Sequence, residues 1–445
     1  MRERRRLWPR VLVGVIVVII IALLGGYWYA RPLLLTGTGY AAHNECALRT
    51  IGGRSNVEAD LPSNPLVPYL RTTDDEASVR ASVLGVLAVQ RAHAAEGYGC
   101  TVGAQAPELP EPTRVLDSNP VLTRALVPPP ADLESAINRA FGDDLDHDAK
   151  AALGTRAVVV LHEGRLVAER YADGFTEFSP QLGWSMAKSA TNLLVGRLVH
   201  DGVVDIDEPL EMGWADDASG AITLDDLLRM RSGLAWDETY DLGTPITSML
   251  YLQRDMGAFA AGQPQEHPVG TVQEYSSGST NIVCKALVQA TGQGADLPRS
   301  ELFAPLGLSR AVWEPDGAGV PVCSSYLWAT PREFAVLGQF ALDDGVVGGE
   351  RLLPEGWIAE STTAEPVVEA EDSGYGSSWW VNLRPDGTLS KPNLPADAYW
   401  MQGHDGQRTY VVPSADLVVV RMGFSPDAPD LRADQLVIDL VSVLG

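Results

Sequence analysis

The chain has 445 residues, 45% of them hydrophobic, enough for a real core and more than one average domain needs. Its formal net charge is -25, and a surface this acidic repels phosphate backbones, which excludes nucleic acid as a partner. Cys46, Cys100, Cys284 and Cys323 include no C-x-x-C pair, and His43, His93, His147, His162, His200 and His267 form no ligand cluster, so no metal and no cofactor are expected.

The N-terminus reads Met-Arg-Glu-Arg-Arg-Arg, with Arg10 following. Val11 to Ala30 carry no charge, and about 20 apolar residues in a helix cross a bilayer's hydrocarbon core. Arginines stay on the cytoplasmic side, which predicts residues 1–10 inside, 11–30 in the membrane and the rest outside. Tyr27, Trp28 and Tyr29 suit the outer interface, where amphipathic rings sit at headgroup level. A cleaved signal peptide is the rival reading. The apolar run is long for one, and cleavage after Ala30 would put Trp28 where a small residue is required. Gly39-Tyr40-Ala41 is a better small-x-small site but lies far from the run. An exported body can hold disulfides. Cys46 with Cys100 is the preferred pair, both in loop-like surroundings. Cys284 and Cys323 stay open between a bond and buried free thiols.

Residues 31–134 mix Gly, Pro, Asn and Ser and carry no chemistry that the sequence reveals. Thr73 to Glu96 reads as a helix, with Asp74, Asp75 and Glu76 at the end where the dipole favours acids and an apolar stripe of Val83, Val86, Leu87 and Val89. Pro107, Pro110, Pro112 and the run Pro128-Pro129-Pro130 read as a linker. Residues 135–445 form the main domain. Ala157–Leu161 and Leu166–Tyr171 read as a hairpin turning at Glu163-Gly164. A helix starts at Ser185 and reaches His200. Thr223 to Arg231 is a short helix, with Thr223 and Asp226 as a capping box. Ser279 to Thr291 is helical and stops at Gly292. Thr330-Pro331 opens another helix. Thr409–Val412 and Leu417–Met422 are strands, and Leu431 to Leu444 is the last helix. Hairpins at both ends with helices between predict an α+β fold, its antiparallel sheet drawn from both ends of the domain.

The chemistry centres on Ser185-Met186-Ala187-Lys188. Positions i and i+3 share a helix face, so the lysine amine stands one turn from the hydroxyl. Ser185 also sits beside free backbone N–H groups and the positive end of the helix dipole. An amine there can take the serine proton if burial lowers its pKa. The chain has four lysines, and only Lys188 has a serine three residues before it. Further on, Tyr275 lies in Glu274-Tyr275-Ser276-Ser277. A phenol near an ammonium ionises more easily and can pass a proton to a leaving group.

These segments resemble the motifs of the serine β-lactamase and penicillin-binding superfamily. Gly183-Trp184-Ser185-Met186-Ala187-Lys188 is similar to the first motif of its class C branch, which includes esterases, D-aminopeptidases and 6-aminohexanoate-dimer hydrolases. Leu227-Leu228-Arg229-Met230-Arg231-Ser232-Gly233-Leu234 resembles that branch's LLxHxSGL segment, with Arg231 where His or Thr is usual. Tyr275-Ser276-Ser277 resembles Tyr-x-Asn, with Ser277 replacing the asparagine as on the nylon-oligomer-hydrolase side. The third motif, Lys/His-Thr-Gly, falls in Met401-Gln402-Gly403-His404-Asp405-Gly406. Two registers fit, His404-Asp405-Gly406 or Met401-Gln402-Gly403. The second is preferred, because it makes the His404 backbone N–H the partner of the Ser185 N–H in an oxyanion hole. In both registers a lysine is missing, which points to esters or amides without a carboxylate. The resemblance covers residues 135–445, with Tyr375-Gly376 and Trp379-Trp380 supporting it. It implies the penicillin-recognising fold, a small-molecule amide or ester substrate, and Ser185, Lys188 and Tyr275 as catalytic groups.

Three other readings compete. An α/β-hydrolase would use Ser185 in a near G-x-S-x-G with His404 as base, but the segment before Ser185 is not a buried strand and Lys188 would be idle. A catalytically silent binding or sensor domain on a membrane stalk is the second. A cell-wall D,D-peptidase is the third, weakened by the missing lysine. Trp184, Trp236, Tyr240, Ser277, Gln402 and Gly403 are the candidate substrate contacts, with Asp237 in the same loop.

Overall fold

The computed structural model describes residues 4–54, 60–61, 64–75, 77–123, 131–426 and 428–444. Pro128-Pro129-Pro130 and Glu76 lie outside the described residues. Helix α1 spans Arg4–Thr50 without interruption. It is long and apolar enough to cross a membrane, and its side chains stay exposed through the apolar run, Leu23 at 69% and Tyr29 at 87%. Below Leu33 the same helix turns buried: Ala41, Ala42, Cys46 and Ala47 pack into the protein. The expected boundary at Ala30 therefore falls inside a helix. Pro32, Gly37 and Gly39 disfavour a helix by intrinsic propensity, yet all three lie within α1. A Cβ at Gly39 would stand 2.7 Å from Cβ of Tyr251, so the glycine is what lets α1 lie against the domain.

The helix expected over Thr73–Glu96 is instead a meander of antiparallel strands: β1 (Leu70–Asp74), β2 (Ser78–Val83), β3 (Leu87–Ala95) and β4 (Gly99–Val102). Of the expected apolar stripe Val83 is buried while Val86, Leu87 and Val89 are exposed, and the apolar residues that β2 buries, Val79, Ala81 and Val83, follow period two. Leu84 and Gly85 turn the chain with positive φ, 52° and 85°, which no helix tolerates in its interior. The sheet covers the buried half of α1, and the Cys46–Cys100 disulfide staples α1 to β4. That pairing is the expected one, but the two cysteines sit in a helix and a strand, not in loops. His43 on α1 reaches Glu314 at 2.8 Å. The same buried carboxylate accepts from Trp328 Nε1 at 2.8 Å and from the Cys100 N–H at 2.7 Å. A fully buried carboxylate with three donors costs little to hold, and it docks α1 onto the main domain.

The main sheet has six antiparallel strands drawn from both ends of the domain. β5 (Thr155–His162) and β6 (Arg165–Tyr171) form the predicted hairpin. β7 (Trp380–Val381), β8 (Tyr399–Gln402), β9 (Arg408–Val412) and β10 (Leu417–Gly423) complete it in the order β7-β8-β9-β10-β5-β6. Alternation decides the two faces. Val158, Val160 and Val419 meet the helices Ala131–Ala140 and Ala433–Leu444 on one side. Val159, Val418 and Val420 meet α2 (Met186–His200) and α3 (Pro331–Leu342) on the other. The short helix α4 (Leu224–Leu228) carries the expected Thr223–Asp226 capping box. Helix α5 (Ser277–Thr291) starts two residues earlier than its sequence suggested, because the Ser276 hydroxyl accepts from the Ser279 N–H. Gly292 ends it with φ of 71°. Cys284 and Cys323 are bonded, which joins α5 to the loop containing Ser324.

Candidate active site

Three backbone segments converge where α2 begins. A Cβ at Gly183 would stand 2.6 Å from the Phe334 ring, and a Cβ at Gly403 would stand 2.0 Å from the Gly183 carbonyl. Only glycine lets the end of β8 close on the entry to α2. Trp184, between Gly183 and the serine, is held at φ of 48°, a strained value for a non-glycine residue and one that accumulates at functional sites. Its ring is packed by Tyr40 at 6.4 Å, Tyr240 at 6.1 Å and His404 at 5.7 Å. Among the described residues, no hydrogen bond occupies the backbone N–H of Ser185 or of His404. Both groups are therefore free to donate.

Lys188 lies one turn into α2 and is 1% exposed. Its amine donates to Ser185 Oγ at 3.1 Å, to Ser277 Oγ at 2.9 Å and to the Ser324 carbonyl at 3.2 Å. Burial lowers its pKa to about 8, opposed by the charge of Glu238. Tyr275 packs its ring 4.7 Å from the same amine. Tyr375 and Trp380 wall the phenol ring at 5.7 Å and 5.6 Å. Burial first, then Glu238, push the Tyr275 phenol up. The sequence had suggested easier ionisation beside an ammonium. Desolvation wins instead, and Tyr275 stays a neutral phenol able to donate a proton.

Glu238 is the group that motif reasoning passed over. It accepts from Ser277 Oγ at 2.5 Å, from the Ser277 N–H at 2.9 Å and from Trp236 Nε1 at 2.6 Å. Two expected substrate contacts are thereby redirected. Ser277 is fully buried between Lys188 and Glu238. Trp236 is packed on Gly278, where a Cβ would stand 2.6 Å from its ring, and spends its N–H on Glu238. Gln402 accepts from Trp400 Nε1 at 3.2 Å, and Gly403 acts through its missing side chain. Tyr240 stacks on His404 at 4.8 Å. Arg408, opposite Gln402 on β9, donates to the Gly403 carbonyl at 3.0 Å and brings its charge near Tyr275. The unusual Arg231 lies apart from this cluster, where it pairs with Asp225 at 2.5 Å and Glu365 at 2.6 Å.

A Ser-x-x-Lys helix set against an antiparallel sheet that is clothed by helices on both faces defines the class. The chain belongs to the Beta-lactamase family, whose model matches residues 143–441. It is similar to the 6-aminohexanoate-dimer hydrolase of Paenarthrobacter ureafaciens, 26% identical over 304 residues that cover 62% of this chain and 74% of that one. Among solved structures it is similar to a Bacillus anthracis protein assigned as a 6-aminohexanoate-dimer hydrolase, with TM-score 0.58, 21% identity and coverage of 74% and 90% of the two chains. A D-stereospecific amidohydrolase from Streptomyces sp. shares the fold with TM-score 0.50 and 17% identity, over 70% of this chain and 98% of that one.

Proposed function

We propose that the protein is a membrane-anchored serine hydrolase that cleaves an ester or amide bond through an acyl-enzyme on Ser185. The observation that carries this is the Lys188 amine: buried, lowered to about 8, and 3.1 Å from Ser185 Oγ. An amine so placed exists in part as the free base near neutral pH and can accept the serine proton as Oγ attacks a carbonyl carbon. The oxyanion then lies between the N–H groups of Ser185 and His404. Tyr275, kept neutral by burial, delivers a proton to the departing alkoxide or amine and is reprotonated through Lys188. Water, deprotonated by the same pair, releases the acyl group. The relationship to 6-aminohexanoate-dimer hydrolase and to an amidohydrolase favours small amides or esters as substrates.

The anchor is read from α1. Its exposed apolar run matches a bilayer core, and five arginines within residues 1–10 favour a cytoplasmic N-terminus. The turn between β2 and β3 fits an anchor ending at this level, whichever side it faces. Leu84 and Val86 are exposed there, at 59% and 73%, while the Ala88 N–H donates to Tyr27 Oη at 3.2 Å, so apolar side chains stand level with the end of the apolar run. Two disulfides fit an oxidising compartment. The direct test is intact mass after treatment with a fluorophosphonate. A single adduct on the wild type that is absent from Ser185→Ala is expected. An unmodified, folded wild type would overturn the reading.

A further inference from the structure

The cavity beside this site is not built by the hydrolase domain alone. About 250 Å³ of space lies between α1 and the domain. Trp184, Tyr240 and His404 form one wall, and Tyr40 of α1 with Leu66 and Leu70 form the other. Among the described residues no lysine or arginine lines it, and Asp241 is its one carboxylate. Such a lining favours an uncharged apolar group and disfavours an anion. At about 30 Å³ for each water-sized group, the space takes a chain of roughly eight carbons.

The position of the cavity ties it to the reaction centre. Trp184 is bonded to Ser185, the His404 N–H is one side of the oxyanion hole, and Tyr240 stacks on His404. Its place on α1 ties it to the membrane. Tyr40 follows Ala30 by ten residues, about 15 Å at 1.5 Å per residue. The cavity thus lies within the first few turns of α1 beyond the apolar run, where Thr36, Gly37 and Tyr40 line it.

We propose that this cavity is a substrate-chain pocket, and that α1 is part of the substrate-binding site as well as the anchor. The substrate class is a neutral ester or amide bearing an apolar chain of roughly eight carbons, taken from the membrane surface. The proposal rests on the serine-hydrolase reading above and deepens it.

The test uses the full chain in lipid nanodiscs and a series of alkyl fluorophosphonates from ethyl to dodecyl. Burial of each methylene is expected to raise the labelling rate constant about fourfold, with a break near octyl. Leu66→Trp and Leu242→Trp, each of which enlarges a lining side chain, are expected to collapse the octyl-to-ethyl ratio at least tenfold. A wild-type profile flat in chain length overturns the pocket, and so does a ratio that neither tryptophan changes. No labelling by any probe removes the serine-hydrolase reading itself, and this proposal with it. Labelling that ignores chain length removes the pocket alone.

Discussion

Glu238→Gln isolates the electrostatics of the base. The carboxylate and the Lys188 amine both bond Ser277 Oγ, at 2.5 Å and 2.9 Å, which places the two charges within about 5 Å. At an effective dielectric of about 20 that attraction is worth about 3 kcal/mol, or about two pK units. Glu238 is only half-buried, and solvent screening reduces the effect to about one unit. The sign follows from which form the carboxylate favours. It stabilises the ammonium, so neutralising it drops Lys188 from about 8 to about 7. Activity needs the free amine. The acid limb of log kcat/KM should therefore move to lower pH by about one unit, while the weaker base lowers the plateau a few-fold. Glutamine keeps an oxygen for Trp236 Nε1, so the loop should hold. The assay is ester hydrolysis from pH 5.5 to 9.5 in wild type and variant. A limb that stays in place, or moves upward, would refute the assignment of Lys188 as the titrating base coupled to Glu238.

Three further outcomes are expected. Burial of the Lys188 ammonium costs about 3 kcal/mol below its native pKa of about 8, and this is regained as pH rises toward the ordinary 10.5. Wild-type stability measured against Lys188→Met by urea unfolding should thus improve by most of that amount between pH 7 and pH 10, and a pH-independent difference would contradict a strained buried lysine. Opening the Cys46–Cys100 bond, which closes a 54-residue separation, should cost about 4 kcal/mol and expose β1–β4 to protease first; an unchanged digestion pattern would show that other contacts suffice to hold α1. Val86→Trp places a fluorophore on the exposed turn beside Tyr27, and brominated lipids should quench it strongly, whereas quenching no greater than that of a solvent-facing tryptophan would separate the turn from the membrane.

What the sequence reveals here divides by distance along the chain. Ser185 and Lys188 are legible because a single helical turn joins them, and the hairpin at Glu163-Gly164 is legible because period two and a turn signal coincide. Glu238 is not, since nothing local distinguishes it from Asp237 beside it. It becomes a site residue only when Ser277, on a helix that begins 39 positions later, folds over it. Arg408 is hidden in the same way, five residues beyond a motif, Met401-Gln402-Gly403, that lacks its own cation. The misread Thr73–Glu96 shows the converse error. Val83, Val86, Leu87 and Val89 satisfy a helical spacing, but Gly85 breaks the segment, and α1 offers a partner that rewards a sheet.

The segment with no recognisable chemistry bears most on specificity. Pro32, Gly37 and Gly39 argue against a helix by propensity alone, and that penalty is offset because the glycines let α1 approach Tyr251 and Leu66 at contact distance. The same approach carries Tyr40 onto Trp184, next to the nucleophile. A soluble relative lacking α1 would have Ser185, Lys188 and Tyr275 in place, but one wall of the cavity would be open to water. Removing α1 should therefore affect long-chain substrates far more than short ones, a consequence that follows from packing and that no motif in residues 135–445 could have announced.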